Sequence, residues 1–215
     1  MREKVIETIL KEKIIVIVRG VESEKLIPLA EAMYDGGIRL LEITYGGNDS
    51  QTAQNIEMLR RHFDGKMHIG AGTVTTPARA ALTKNAGGEF IISPNTDPET
   101  IKLTRELGMV SIPGALTPSE IVTADRAGAD FVKLFPVTGL GAKYLKAVKA
   151  PLSNIRFLAV GGIDENNMGE YFSAGACGFG IGSNIINKTA LKEENYNIIT
   201  ETAKKYVSAA AEACK

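Results

Sequence analysis

The sequence predicts an α/β protein, a (β/α)8 TIM barrel with an extra N-terminal helix. Three observations predict it. Eight short β-branched runs recur along the chain, helical stretches separate most of them, and no composition shift or Pro/Ser-rich linker divides the 215 residues. Continuous apolar strands alternating with helices indicate parallel βα units. Eight units in about 200 residues is the count and size of a compact barrel. An open doubly wound sheet is the alternative, and it usually has fewer strands. The whole chain, 1–215, reads as one domain.

The elements follow in order. Residues 2–12 read as the extra helix, ahead of the first strand KIIVIVR (13–19). SEKLIPLAEAMYDGG leads to IRLLEIT (38–44), and NDSQTAQNIEMLRRH to MHIGAG (67–72). TPARAALTKNAGG leads to EFIIS (89–93), and DPETIKLTRELG to MVSIP (109–113). DFVKLFP (130–136), IRFLAVG (155–161) and GFGIG (178–182) complete the eight, and a long helix over about 192–213 closes the chain. Several helices start at Ser, Asp or Thr-Pro and stop at Gly, which are N-cap, first-turn and C-cap signals.

Composition narrows the function. Lys plus Arg and Asp plus Glu are 25 each, so net charge is about zero. Nothing argues for nucleic acid or an anionic membrane surface, and any anion must be held by a local site. The cysteines, Cys177 and Cys214, form no CxxC and no disulfide framework, and Cys177 reads as a small core residue. His62 and His68 are not at a metal-binding spacing. The N-terminus alternates charge with apolar residues and lacks a signal-peptide core, so a cytoplasmic location is expected. The run Ile14 to Val18 is too short to span a bilayer. Arg60-Arg61 and Lys204-Lys205 read as solvated helix faces.

The active site of such a barrel lies at the C-terminal ends of its strands. The polar residues there include Arg19, Glu42, Thr73, Lys133 and Ser183, with Pro94 at the end of the fourth strand. Lys133 stands inside an apolar strand, where burial disfavours the ammonium and lowers its pKa. A neutral amine is a nucleophile toward ketones and can form a Schiff base. The alternative is a structural ion pair, with Glu42 as the partner. Glu42 sits in the buried run Leu40 to Thr44. A carboxylate beside a neutral amine can serve as general acid and base. Gly161-Gly162 and Gly180-Ile181-Gly182-Ser183-Asn184 follow the last two strands. That is the usual phosphate position of a barrel, with backbone amides unobstructed by Cβ atoms.

Seven motifs in order carry a resemblance: LEIT, GAGTV, ISPN, IPGALTPSE, FVKLFPV, AVGGI and GIGSN, over about residues 14 to 187. The chain resembles the 2-keto-3-deoxy-6-phosphogluconate (KDPG) / 4-hydroxy-2-oxoglutarate (KHG) aldolases. The resemblance implies a class I aldolase, without metal or cofactor, usually a homotrimer. It would cleave 2-dehydro-3-deoxy-6-phosphogluconate to pyruvate and glyceraldehyde 3-phosphate, with hydroxyoxoglutarate as a further substrate. By carry-over, Lys133 is the Schiff-base lysine, Glu42 the general base, and Thr73 a contact to the pyruvate portion. Gly161, Gly162, Gly182 and Ser183 would hold the phosphate, and Phe135 would wall Lys133 from water.

One feature departs from the pattern. Many KDPG aldolases carry an arginine after Glu-x-Thr that binds the pyruvate carboxylate. Here Tyr45-Gly46-Gly47 follows Glu42-Ile43-Thr44. Arg19, at the end of the first strand, is expected to hold the carboxylate instead, with pairing to Glu22 as the alternative. VRG, SPN and GAKYLKAVKAPL look closer to the galactonate branch, which cleaves the C4 epimer. Other readings are another phosphate-binding barrel enzyme, or a non-catalytic phosphosugar-binding barrel.

Overall fold

The computed structural model describes residues 1–213. The expected alternation is present: α1 (Arg2–Glu12), β1 (Ile14–Val18), α2 (Ser23–Asp35), β2 (Leu40–Thr44), α3 (Asp49–His62), β3 (His68–Gly72), α4 (Pro77–Asn85), β4 (Phe90–Ile92) and α5 (Pro98–Glu106). Then follow β5 (Val110–Ile112), β6 (Gly114–Ala115), α6 (Pro118–Ala127), β7 (Val132–Leu134), α7 (Gly141–Lys149), β8 (Phe157–Val160), α8 (Met168–Ser173), β9 (Ala176–Ile181), α9 (Lys188–Lys192) and α10 (Tyr196–Ala213). The closing helix, expected over about 192–213, starts at Tyr196, and the short α9 precedes it. Cys214 falls outside the described residues.

Nine segments make eight barrel staves. The fifth expected strand is cut at Pro113, which has no N–H to give a ladder. Its first half, β5, pairs with β4, and its second half, β6, pairs with β7. All the pairings are parallel, in the order β5-β4-β3-β2-β1-β9-β8-β7-β6. The two ends meet through the cut strand. Phe131 N–H donates to Ser111 O at 3.3 Å and Lys133 N–H to Pro113 O at 2.9 Å, so the barrel closes.

Local chemistry sets the helix starts. Thr76, Asp97 and Thr117 each accept a backbone N–H in the first turn of their helix, and proline follows each one. Thr117 and Glu120 form a full capping box. Proline at the first helical position sacrifices no hydrogen bond, and a capping side chain is worth about 1 kcal/mol.

The strand period of two divides the core in two. Outward residues, such as Ile14, Val16 and Val18 of β1 or Val132 and Leu134 of β7, pack under the helices. Inward residues Ile15, Leu40, Phe90, Ile92, Val110, Ile112, Phe131 and Leu158 fill the barrel's lower half. Val5, Ile6 and Ile9 of α1 join that inner cluster and plug the N-terminal mouth. Burying each of them contributes about 1.5–3 kcal/mol.

Two buried carboxylates pin the same end. Asp130 is bonded by Arg2 of α1, by Arg105 and by Ser111 N–H. Glu89 is bonded by Arg60 at 2.8 Å and by His68, whose other ring nitrogen meets Thr8 Oγ1 of α1 at 3.2 Å. This corrects the reading of Arg60 as solvated. Its guanidinium is spent on a buried carboxylate, whereas Arg61 beside it is exposed. Cys177 is half-buried, and burial pushes its thiol up to about 11, which leaves it unreactive. Among the described residues, no helix is long and apolar enough to cross a membrane.

Candidate active site

One step up each inward row, apolar residues give way to the expected site. Period two puts Glu42 above Leu40, and Lys133 and Phe135 above Phe131. β1 pairs Ile17 with Glu42, and β2 pairs Glu42 with Gly70. A cavity opens at this level of the barrel. The cavity holds about 410 Å³. All ten expected site residues line it: Arg19, Glu42, Thr73, Pro94, Lys133, Phe135, Gly161, Gly162, Gly182 and Ser183.

Lys133 is 7% exposed and Glu42 1% exposed. The structural ion pair is not what the two make. Glu42 Oε2 is buried without a hydrogen-bond partner. The two groups influence each other through space, but desolvation outweighs that attraction at both. Burial holds the Lys133 ammonium below its ordinary range. Glu42 opposes this shift, and the positive charge of Arg19 adds to it. Burial likewise pushes the Glu42 carboxyl up, against Lys133 and Arg19. Both shifts favour the uncharged forms, an amine and a carboxylic acid. Lys133 Nζ also stands 4.6 Å from the centre of the Phe135 ring, which shields that side from water.

Arg19 does not turn to Glu22. Its Nη2 donates to Thr73 Oγ1 at 2.9 Å. Thr73 has φ 57°, in the left-handed region that a β-branched residue rarely occupies. Such strain costs about 1–3 kcal/mol and persists only where the surroundings impose it. Arg79 imposes part of it here. It donates to Thr73 O at 3.2 Å while its fork is held by both Asp49 oxygens at 2.9 Å.

Opposite this corner, Gly161 (φ +104°) and Gly162 (φ +73°) make the turn after β8. A Cβ on Gly162 would meet Thr138 Oγ1 at 3.0 Å. The turn and Ser183 form a shelf of N–H and O–H groups suited to an anion.

Five further residues line the cavity, Ile17, Val160, Ile163, Gly180 and Asn184, and of these only Gly180 and Asn184 stand in the glycine-rich run singled out from the sequence. Strand parity marks the first two, because Ile17 and Val160 share the inward rows of Ile15 and Leu158. Asn184 donates to Ile163 O at 3.0 Å and ties the shelf's two loops together. A larger hollow, about 650 Å³, adjoins the site across Arg19 and Ser183 and is rimmed by Lys25, Lys188 and Lys192. Its lining does not include Lys133 or Glu42, which face the smaller cavity.

Known proteins resemble this chain in sequence and fold. The family model for KDPG and KHG aldolase matches residues 5–202. The chain is 35% identical to the 2-dehydro-3-deoxy-6-phosphogalactonate aldolase of Escherichia coli K12, covering 81% of this chain and 85% of that protein. It is also 35% identical to the 2-dehydro-3-deoxy-phosphogluconate aldolase of Pseudomonas aeruginosa, covering 78% of this chain and 76% of that protein. A solved KDPG aldolase from Legionella pneumophila, with pyruvate captured at low pH as a covalent carbinolamine intermediate, superposes with TM-score 0.82. It is 32% identical, over 90% of this chain and 93% of that one. By its motifs, its barrel and its relatives, this chain belongs to the KDPG and KHG aldolase family.

Proposed function

We propose that this chain is a class I aldolase that cleaves a 2-dehydro-3-deoxy-6-phospho sugar acid to pyruvate and glyceraldehyde 3-phosphate. The observation that carries the reading is the buried amine and carboxyl, Lys133 and Glu42, facing one cavity with both pKa values shifted toward the neutral forms. A protonated lysine has no lone pair. Burial against Phe135 supplies the free amine that attack on a ketone needs.

Lys133 Nζ adds to the C2 carbonyl and gives a carbinolamine. Loss of water, with Glu42 as proton shuttle, gives the protonated imine. That cation is the electron sink. Glu42, through a water, takes the proton of the C4 hydroxyl as the C3–C4 bond breaks. The electron pair passes into the enamine of pyruvate, and glyceraldehyde 3-phosphate departs. Protonation at C3 and hydrolysis of the imine release pyruvate and restore the amine. Arg19 and Thr73 hold the carboxylate end of the substrate, and Pro94 lines that wall. Gly161, Gly162, Gly182 and Ser183 hold the phosphate.

The gluconate-series acid is the first substrate, and hydroxyoxoglutarate a further one. The galactonate-series epimer is a second reading. It is favoured by the absence of arginine at Tyr45-Gly46-Gly47 and by Arg19 directly after the neighbouring strand. A single catalytic domain, homotrimeric assembly and a cytoplasmic location complete the proposal; the trimer rests on the family resemblance, the other two on the sequence pattern. Light scattering tests the trimer. The function is tested by measuring pyruvate release from the two C4 epimers and hydroxyoxoglutarate. Turnover of a phosphorylated acid is expected, and no release from any of the three overturns the reading.

A further inference from the structure

Gly72 ends β3 beside Glu42, and its backbone gives no reason for glycine. It lies in a strand, outside the left-handed region. Glycine inside a strand weakens it, and often marks a close approach. The approach here is specific. A Cβ on Gly72 would lie 1.5 Å from Glu42 Oε1, 2.2 Å from its Cδ and 2.6 Å from its Cγ. No real Cβ comes within 3.0 Å of a heavy atom, so the carboxyl occupies the volume that a side chain at 72 would fill. The inward glycine below it serves packing instead, because Gly70 makes room for the Phe90 ring at 2.4 Å.

We propose that Gly72 is a positioning residue for the proton shuttle. The missing Cβ creates the slot that seats the Glu42 carboxyl beside Lys133. The inference rests on the acid–base role proposed for Glu42. The obstructing atoms belong to a flexible side chain that borders a 410 Å³ cavity. A side chain at 72 therefore displaces Glu42 into the cavity without breaking the barrel. The fold survives and the acid–base geometry does not. Gly72 itself does not line the cavity, so its effect runs through Glu42.

A double-mutant cycle tests this on the full chain, with wild type, Gly72→Ala, Glu42→Ala and the double variant. Three readouts are taken: kcat, the extent of pyruvate trapped by borohydride, and exchange of the pyruvate methyl protons in D2O. In Gly72→Ala, kcat and methyl exchange should fall by about 10²–10⁴-fold, the usual size of acid–base catalysis. The trapped fraction at completion should not change. In the Glu42→Ala background the same change should add no loss beyond about twofold, the margin for sites that act independently. An equal loss in both backgrounds, or wild-type kcat in Gly72→Ala, overturns the inference while leaving Glu42's role intact. Wild-type turnover by Glu42→Ala is a different failure and removes the acid–base reading and this inference together. If Gly72→Ala alone does not fold, a folded double variant supports the shared slot, and an unfolded one overturns it.

Discussion

Arg19→Ala separates the two ends of the substrate. The cavity offers one guanidinium, and it directly follows β1, the strand paired with that of Glu42 at Ile17↔Glu42. A 2-keto acid carries its carboxylate beside the carbon that Lys133 attacks, so the anion must be met near that amine. Arginine offers a bidentate fork to a carboxylate. A hydrogen bond to a charged group is worth about 1.5–3 kcal/mol, or about 10- to 150-fold in affinity. Arg19 is exposed at the cavity mouth, where solvent weakens the interaction. The expected loss is therefore about tenfold, the low end of that range. The assay is aldol condensation with each substrate varied in turn. KM for pyruvate should rise about tenfold, and KM for glyceraldehyde 3-phosphate, which has no carboxylate, should stay near wild type. If both KM values rise together, Arg19 serves the phosphate or the Thr73 corner, and the carboxylate assignment fails.

Three further outcomes follow from the same geometry. Glu42→Gln keeps the shape and loses the proton shuttle, so kcat should fall by about 10²–10⁴-fold; an unchanged kcat assigns Glu42 to structure. The pH at which Lys133 becomes nucleophilic should move in opposite directions in two variants. Glu42 raises the lysine's pKa, so Glu42→Gln shifts the acid limb of pyruvate trapping to lower pH; Arg19 lowers it, so Arg19→Ala shifts the limb to higher pH. Shifts in the same direction would contradict the electrostatic account. Gly162→Ala forces a Cβ into left-handed backbone and against Thr138, and should raise KM for glyceraldehyde 3-phosphate while leaving that for pyruvate unchanged; the reverse pattern would move the phosphate elsewhere.

Much of this site is legible in the chain because strand parity is local. A lysine between Val132 and Leu134 shares a face with Phe131 and Phe135, and a glutamate between Leu41 and Ile43 shares one with Leu40. That places both charges inside before any fold is known. Helix starts at Thr76, Asp97 and Thr117 are equally local, because each cap is read from three or four neighbours. What hides in the sequence is contact between distant segments. Arg60 looks like any helix-surface arginine until Glu89, on another stave, comes within 2.8 Å. The strand at 109–113 looks whole until its two halves find different partners on either side of Pro113. Gly72 looks like a spacer until the Glu42 side chain fills its missing Cβ. The positive φ of Thr73 carries no local signal either, since threonine rarely adopts it without constraint from Arg79 and Arg19.

The proposed chemistry turns on a covalent imine between Lys133 and pyruvate. The most direct measurement adds borohydride to the protein with pyruvate and reads the intact mass and the peptide map. One reduced pyruvate adduct per chain is expected, located on Lys133, with inactivation in proportion. No adduct and no turnover are expected in Lys133→Arg, whose guanidinium cannot form the imine. An adduct on another lysine, or wild-type turnover by Lys133→Arg, would contradict that chemistry.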